Sequence, residues 1–235
     1  MADQKRSRLP FIGVGVIVII AVAIGAFLFF TRDQSDPELK LSDSKTGTGE
    51  TVDTSNLDGA WKVVAGTGDD ATVAGYRVKE VFAAGSRKVT ANGRTNDVTG
   101  TLTVAGDEVS EGTFTVDMTT LASDEGRRDG AIKDRGLETA KFPEGTFELS
   151  EPITLPDIKD GETFDVKAVG DLTLHGVTKP VTVDLTARSS GDTFTVQGSA
   201  PVQMADYGME APSIGGFVEV EDNGSFEFIV NFQKG

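Results

Sequence analysis

Valine, leucine, phenylalanine and small residues alternate with threonine, aspartate and serine through most of the chain beyond Asn56. A period of two is the signature of a β-strand with one buried and one solvated face. It runs through Val98-x-Gly100-x-Leu102-x-Val104, with Thr99, Thr101 and Thr103 between, and through Gly112-x-Phe114-x-Val116-x-Met118. Phe164-x-Val166-x-Ala168-x-Gly170-x-Leu172-x-Leu174 repeats it, as do Val181-x-Val183-x-Leu185-x-Ala187, Phe194-x-Val196-x-Gly198-x-Ala200 and Phe226-x-Phe228-x-Val230-x-Phe232. Shorter candidates are 60–65, 72–80 and 146–149. The turn-forming stretches 105–108, 189–192 and 221–224 stand where hairpins should reverse.

Several long strands, each with one apolar face and joined by tight turns, imply an antiparallel sheet. Closing it on itself removes the edges and turns the apolar faces inward, and about eight strands enclose just enough room for side chains or one small ligand. The expected fold is therefore all-β, an eight-stranded antiparallel barrel. Phe114, Val116, Phe147, Phe164, Val166, Ala168, Leu172, Val183, Leu185, Phe194, Val196, Phe226 and Phe228 are the inward candidates, and Tyr76 joins them as a residue that either lines or fills the lumen. Small inward residues, Gly100, Gly112, Ala168, Gly170, Gly198 and Ala200, are expected to leave the interior partly hollow. The segment 123–139 breaks the alternation. Its acceptors at the start and its Ile132 and Leu137 among charges predict a short helical lid across one barrel end.

Residues 11–30 form a run of 20 without a charge, about 30 Å long as a helix, which is the thickness of a bilayer's hydrocarbon core. Lys5, Arg6 and Arg8 precede it, so the positive-inside rule places 1–10 in the cytoplasm, makes 11–30 a single-pass anchor, and sends the rest of the chain to the extracytoplasmic side of the cell membrane. Residues 31–56, poor in large apolar side chains, read as a flexible linker with a reach of about 30 Å. The barrel domain then occupies 57–235. The formal net charge of −15 excludes nucleic acid as a partner, and a chain without cysteine has no disulfide or thiolate chemistry.

The motif Leu172-Thr-Leu-His-Gly-Val-Thr-Lys-Pro-Val181, the pair Arg128-Asp129, and Lys141-Phe-Pro-Glu-Gly-Thr-Phe147 stand in an order and spacing that resemble the YceI-like family of lipocalin-like, polyisoprenoid-binding proteins. Val98-Thr-Gly100 and Tyr207-Gly-Met209 are further pieces in the right order, and the resemblance covers 57–235. It implies a barrel whose lumen takes a long-chain amphiphilic lipid: a polyprenyl, quinone or fatty-acid derivative. Two departures stand out. Ala131 occupies a position where the family often has histidine, and Glu210, Ala211 and Pro212 stand where an aromatic residue often follows.

The chain's one histidine, His175, lacks a cysteine, a second histidine or a nucleophile elbow to work with. It is read as part of a turn in which Gly176 takes a positive φ and Pro180 opens the next strand. No catalytic residue, metal site or cofactor is assigned. Acidic pairs such as Asp69-Asp70 and Glu221-Asp222 read as solvated turns. Arg127, Arg128, Lys133, Arg135 and Lys141 are expected to pair with neighbouring Asp and Glu or, if the lid covers the barrel mouth, are candidates to meet a lipid head group. Each methylene removed from water contributes about 0.8 kcal/mol, so a lumen taking on the order of 20 carbons needs no polar code to bind. The function expected is a membrane-tethered lipid-binding barrel without catalysis. The alternatives are a barrel filled by its own side chains that serves protein contacts, or an enzyme acting on the bound lipid. The sequence leaves the oligomeric state open.

Overall fold

In the computed structural model, which describes residues 37–43, 47–82, 87–214 and 217–235, the alternating segments form strands in which the apolar residues share one face. In chain order these are β1 (Gly59–Val64), β2 (Val73–Phe82), β3 (Arg87–Thr95), β4 (Val98–Ala105), β5 (Glu108–Asp117), β6 (Glu144–Leu149), β7 (Ile153–Thr154), β8 (Thr163–Leu174), β9 (Val177–Ser190), β10 (Thr193–Gln203), β11 (Ser213–Ile214) and β12 (Val218–Lys234). Hydrogen-bonded neighbours run β1-β4-β5-β6-β8-β9-β10-β12, and β12 returns to β1, so eight antiparallel strands close a barrel. All the pairings are antiparallel, as short hairpin links require.

β12 makes the closure possible by serving two neighbours on one edge. Asn231 to Lys234 pair with β1, while Val218 to Ile229 pair with β2, which carries β3 outward beside the barrel. Residues 221–224 were expected to be a turn. They lie instead inside β12, as a bulge between Val220 and Gly224. The β10 side holds the strand together there, with Gln203 opposite Asn223 and Val202 opposite Gly224. The other two expected reversals are two-residue hairpins at Gly106-Asp107 and Gly191-Asp192, each with its glycine at positive φ. Strand β3 was not foreseen. Its inward positions are Ala91, Gly93 and Thr95, too small and polar to register as an apolar face.

Two apolar clusters fill the barrel's ends. Trp61, Phe194, Val230 and Phe232 pack with Leu57 and Ile158 at one end, where the Trp61 indole donates to the Leu57 carbonyl at 2.9 Å. Tyr76, Val78, Leu174, Met204, Tyr207 and Met209 pack with Ile132 and Leu137 of the lid at the other. The lid is helix α1 (Gly126–Ala131), which continues through a wider turn to Gly136, where the Leu137 amide donates to the Ile132 carbonyl. The Glu125 carboxylate caps it by accepting from the Arg127 amide.

The expectation of a flexible linker over 31–56 does not describe residues 37–43 and 47–56, which lie against the barrel as a strap. The Arg94 guanidinium donates to the Pro37 carbonyl at 2.8 Å and to Glu227 at 3.0 Å, and the Leu39 amide donates to the other Glu227 oxygen. Leu39 is buried over that ion pair. Farther on, the Ser42 amide and hydroxyl both donate to Asp70, which also binds Arg188. Burial works to raise the Asp70 pKa, but the Ser42 bonds and the Arg188 charge outweigh it and hold the carboxyl below its ordinary value. The Val52 amide donates to the Ile158 carbonyl, and its side chain joins the cluster that plugs that end of the barrel. Composition hid this docking, because polar strap residues are held by polar partners on the barrel's outer face.

Leu39→Asp is expected to free the first part of the strap, since a charge there would be buried beside Glu227. Limited trypsin digestion reads it directly: the exposed Lys40 peptide bond should be cut at least tenfold faster than in the parent protein, with the barrel core intact. Equal rates would show that Leu39 contributes no hold.

Candidate ligand-binding site

The inward faces of the barrel strands leave a free lumen of about 150 Å³. Its wall is almost entirely carbon. Thr146 and Glu227 are the polar residues among those that line it, and the Glu227 carboxylate is turned to the strap and Arg94. Phe114, Val116, Phe147, Phe164, Val166, Ala168, Leu172, Val183, Leu185, Phe194, Val196, Phe226 and Phe228 all line this lumen. Tyr76 does not. It lines a smaller chamber of about 30 Å³ beneath the lid, together with Ile132, Leu137, Val202, Met209 and Phe226.

Register explains the gathering. Val166 stands opposite Leu185, Ala168 opposite Val183, and Phe114 opposite Phe147, so residues two apart on adjacent strands stack their side chains on the same side. Phe114 also meets Phe228 and Phe232 at ring-centroid separations of 6.3 and 5.4 Å. Room for a water takes about 10–15 Å³, so the lumen holds on the order of ten waters, or about as many methylenes.

The small residues do not all create that space. Gly112, Ala168 and Ala200 line the lumen, but Gly170 and Gly198 are seats for aromatic rings. A Cβ on Gly198 would lie 2.6 Å from the Phe228 ring, and one on Gly170 would run into the Phe147 ring and the Glu148 carbonyl. These two glycines let large rings lie flat against the sheet.

None of the five basic candidates lines either cavity. Arg128 is buried and donates through Nε and Nη2 to the two Glu80 oxygens at 2.6 and 3.0 Å, with Asp124 as a further partner. Burial works against its charge, yet Glu80 and Asp124 more than offset this and raise its pKa above the ordinary value. Arg135 donates to the Ser213 carbonyl, and Lys141 stands over the Phe142 ring at 4.6 Å. Arg127 is exposed and Lys133 half-buried. Sequence reading missed Glu80, an acidic residue on an inward position of β2, which is the partner that commits Arg128 to holding the lid.

His175 and Gly176 form the two-residue turn between β8 and β9, both at positive φ (50° and 72°). The His175 Nε2 lies 2.6 Å from Glu138 Oε2, its Nδ1 lies 3.2 Å from the Tyr207 carbonyl, and its ring packs on Phe142. The imidazole thereby ties the hairpin to the end of the lid segment and to the turn at Tyr207. Pro180 does not open β9 but sits three residues inside it, opposite Asp171.

A closed eight-stranded antiparallel barrel with a carbon-walled lumen and a helix across one end belongs to the class of small β-barrels wide enough to hold one small ligand. Within that class the chain belongs to the YceI-like domain family, whose model matches residues 51–232. Protein YceI of Escherichia coli and of Shigella sonnei is 38% identical over 79 residues, covering 33% of this chain and 38% of theirs. The match therefore spans well under half the length of these curated relatives. Several solved structures share the fold. A polyisoprenoid binding domain from Saccharophagus degradans implicated in plant cell wall breakdown aligns with TM-score 0.55 and 16% identity over 74% of this chain and 98% of its own. BcnA of Burkholderia cenocepacia aligns with TM-score 0.51 and 17% identity over 66% and 95%.

Proposed function

We propose that this protein binds a long-chain amphiphilic lipid of isoprenoid type in its barrel lumen and sequesters or carries it, without catalysis of its own. The observation that carries this reading is the lumen wall, in which some thirty residues converge and nearly all are apolar. Water in such a space has few hydrogen-bond partners, whereas a hydrocarbon chain loses none, and about ten enclosed carbons contribute about 8 kcal/mol gross. A longer chain is held by one portion. Membership of the YceI-like family and the fold shared with a polyisoprenoid binding domain support the same ligand class.

The proposal extends to location. The apolar run 11–30 lies outside the described residues, and among the described residues no helix is long and apolar enough to cross a membrane. Its length and flanking charges support an uncleaved single-pass anchor with the barrel on the extracytoplasmic side. The strap is docked from Pro37, the first of the described residues. In this reading the barrel takes its ligand from the adjoining bilayer.

Native mass spectrometry of the full-length protein released from its own membranes tests the reading. A co-purifying lipid in the range of prenyl or acyl chains is expected, displaceable by added prenyl lipid. No bound lipid together with no uptake of added prenyl alcohol would rule the carrier out.

A further inference from the structure

Between β6 and β8 the barrel wall is hydrogen-bonded over part of its height. The two strands pair from Thr146 opposite Thr173 to Leu149 opposite Gly170, and the Ser150 and Glu151 amides then donate to the Val169 carbonyl. Beyond that point no strand pairs with this edge of β8, from Thr163 to Ala168, while the other edge stays paired with β9 throughout. The chain alongside is β7, and it bonds to β5 instead, with Ile153 opposite Val109 and Thr154 opposite Glu108. Pro152 and Pro156 bracket β7 and carry no N–H, which leaves it few donors for a second neighbour.

Backbone groups alternate between the two edges of a strand. With the Val169 carbonyl on the free edge, the N–H and C=O of Asp165 and Lys167 lie on it too, and water must satisfy them. Both residues are exposed, and their side chains lean the other way, to Thr186 and Asp184 on β9. On the inner side the seam is flanked by Leu149, Ile153 and Leu155 and by Phe164 and Val166, all of which line the lumen. Apolar side chains alone therefore stand between water and the lumen here, and parting them breaks no backbone hydrogen bond between β7 and β8.

The barrel's ends offer no such passage. Trp61, Phe232 and Ile158 are buried in one plug, and Leu174 is buried with Ile132 and Leu137 of the lid in the other. Yet the lumen takes only about ten methylenes, and a prenyl chain of more than two isoprene units exceeds that. We propose that the part of a long-chain ligand that the lumen cannot hold leaves it through the seam between β7 and β8, polar end outermost. The enclosed end is then hydrocarbon, in keeping with a wall that carries no lysine or arginine. This rests on the lipid-binding reading and deepens it: the ligand is longer than the lumen and is threaded through the wall, so its head group is not selected inside the barrel.

A chain without cysteine allows the exit to be located by single-cysteine variants of the full-length protein. A fluorophore is attached to Thr154→Cys at the seam, to Arg127→Cys on the lid, or to Asp192→Cys in the hairpin at the other end, three exposed positions. Geranylgeraniol carrying a nitroxide at its hydroxyl end should quench the Thr154→Cys fluorophore at least threefold and leave the other two nearly unchanged. The same chain with the nitroxide at its hydrocarbon end should bind at least tenfold more weakly, because that end must be enclosed. Four results overturn the seam while leaving the lumen reading in place: strongest quenching at the lid or the hairpin, no quenching by a bound probe, equal binding of the two probes, or binding of unlabelled geranylgeraniol alone. Failure of unlabelled geranylgeraniol to bind overturns both.

Discussion

Val183→Trp should lower affinity for a prenyl lipid by at least about a hundredfold while leaving the barrel as stable as before. Val183 is buried on β9 opposite Ala168, and both face the lumen. An indole at this point has no route outward through the sheet, so it enters the free space, which amounts to about ten methylenes' worth of room. Displacing even four of them forfeits about 3 kcal/mol of transfer energy, which is more than a hundredfold in affinity. Filling a cavity with an apolar group is stabilising or neutral where the shape allows, so thermal unfolding should shift little. Ligand uptake followed by native mass spectrometry, beside a melting curve, separates the two effects. Unchanged uptake in a folded variant would mean that the lipid sits outside the lumen.

That prediction depends on which side chains point inward, and this was legible because period-two alternation fixes the face of every residue once one is known. Val166, Ala168 and Leu172 on β8 and Val183 and Leu185 on β9 follow from pattern alone. Other features obey no such period. β3 was invisible because Ala91 and Gly93 give its inner face the composition of a loop, and Gly93 is small in order to seat the Tyr76 ring. The bulge at 221–224 carries turn residues because it is an irregularity, yet β10 keeps its other edge in register. Long-range polar pairs left no sequence signal at all. Arg128 finds Glu80 across 48 positions, and Leu39 finds Glu227 across 188. The sequence therefore left the basic residues of the lid between pairing with neighbouring acids and meeting a head group, and it gave no sign that Arg128 is committed to the distant Glu80.

Arg128→Leu is the sharpest probe of that commitment. The Arg128 and Glu80 side chains are 10% and 2% exposed, and their two hydrogen bonds join the lid helix to an inward position of β2. Removing the arginine strands a carboxylate in an apolar end of the barrel, a change that costs about 3–5 kcal/mol, and in a domain of this size it should lower the melting temperature by about 6–20 °C. Asp124, itself an anion, cannot replace the cation beside Glu80, and its own contact with Arg128 lies at the surface and contributes little. The double variant Glu80→Leu with Arg128→Leu should recover at least half of the loss, because two apolar side chains of similar size leave no buried charge behind. Recovery would establish that the pair specifies where the lid sits rather than supplying net stability. A lid so released should also exchange its ligand faster, since Ile132 and Leu137 remain its main hold on the barrel. If the single and double variants melt together, the carboxylate is solvated in the variant and the lid does not seal that end of the barrel.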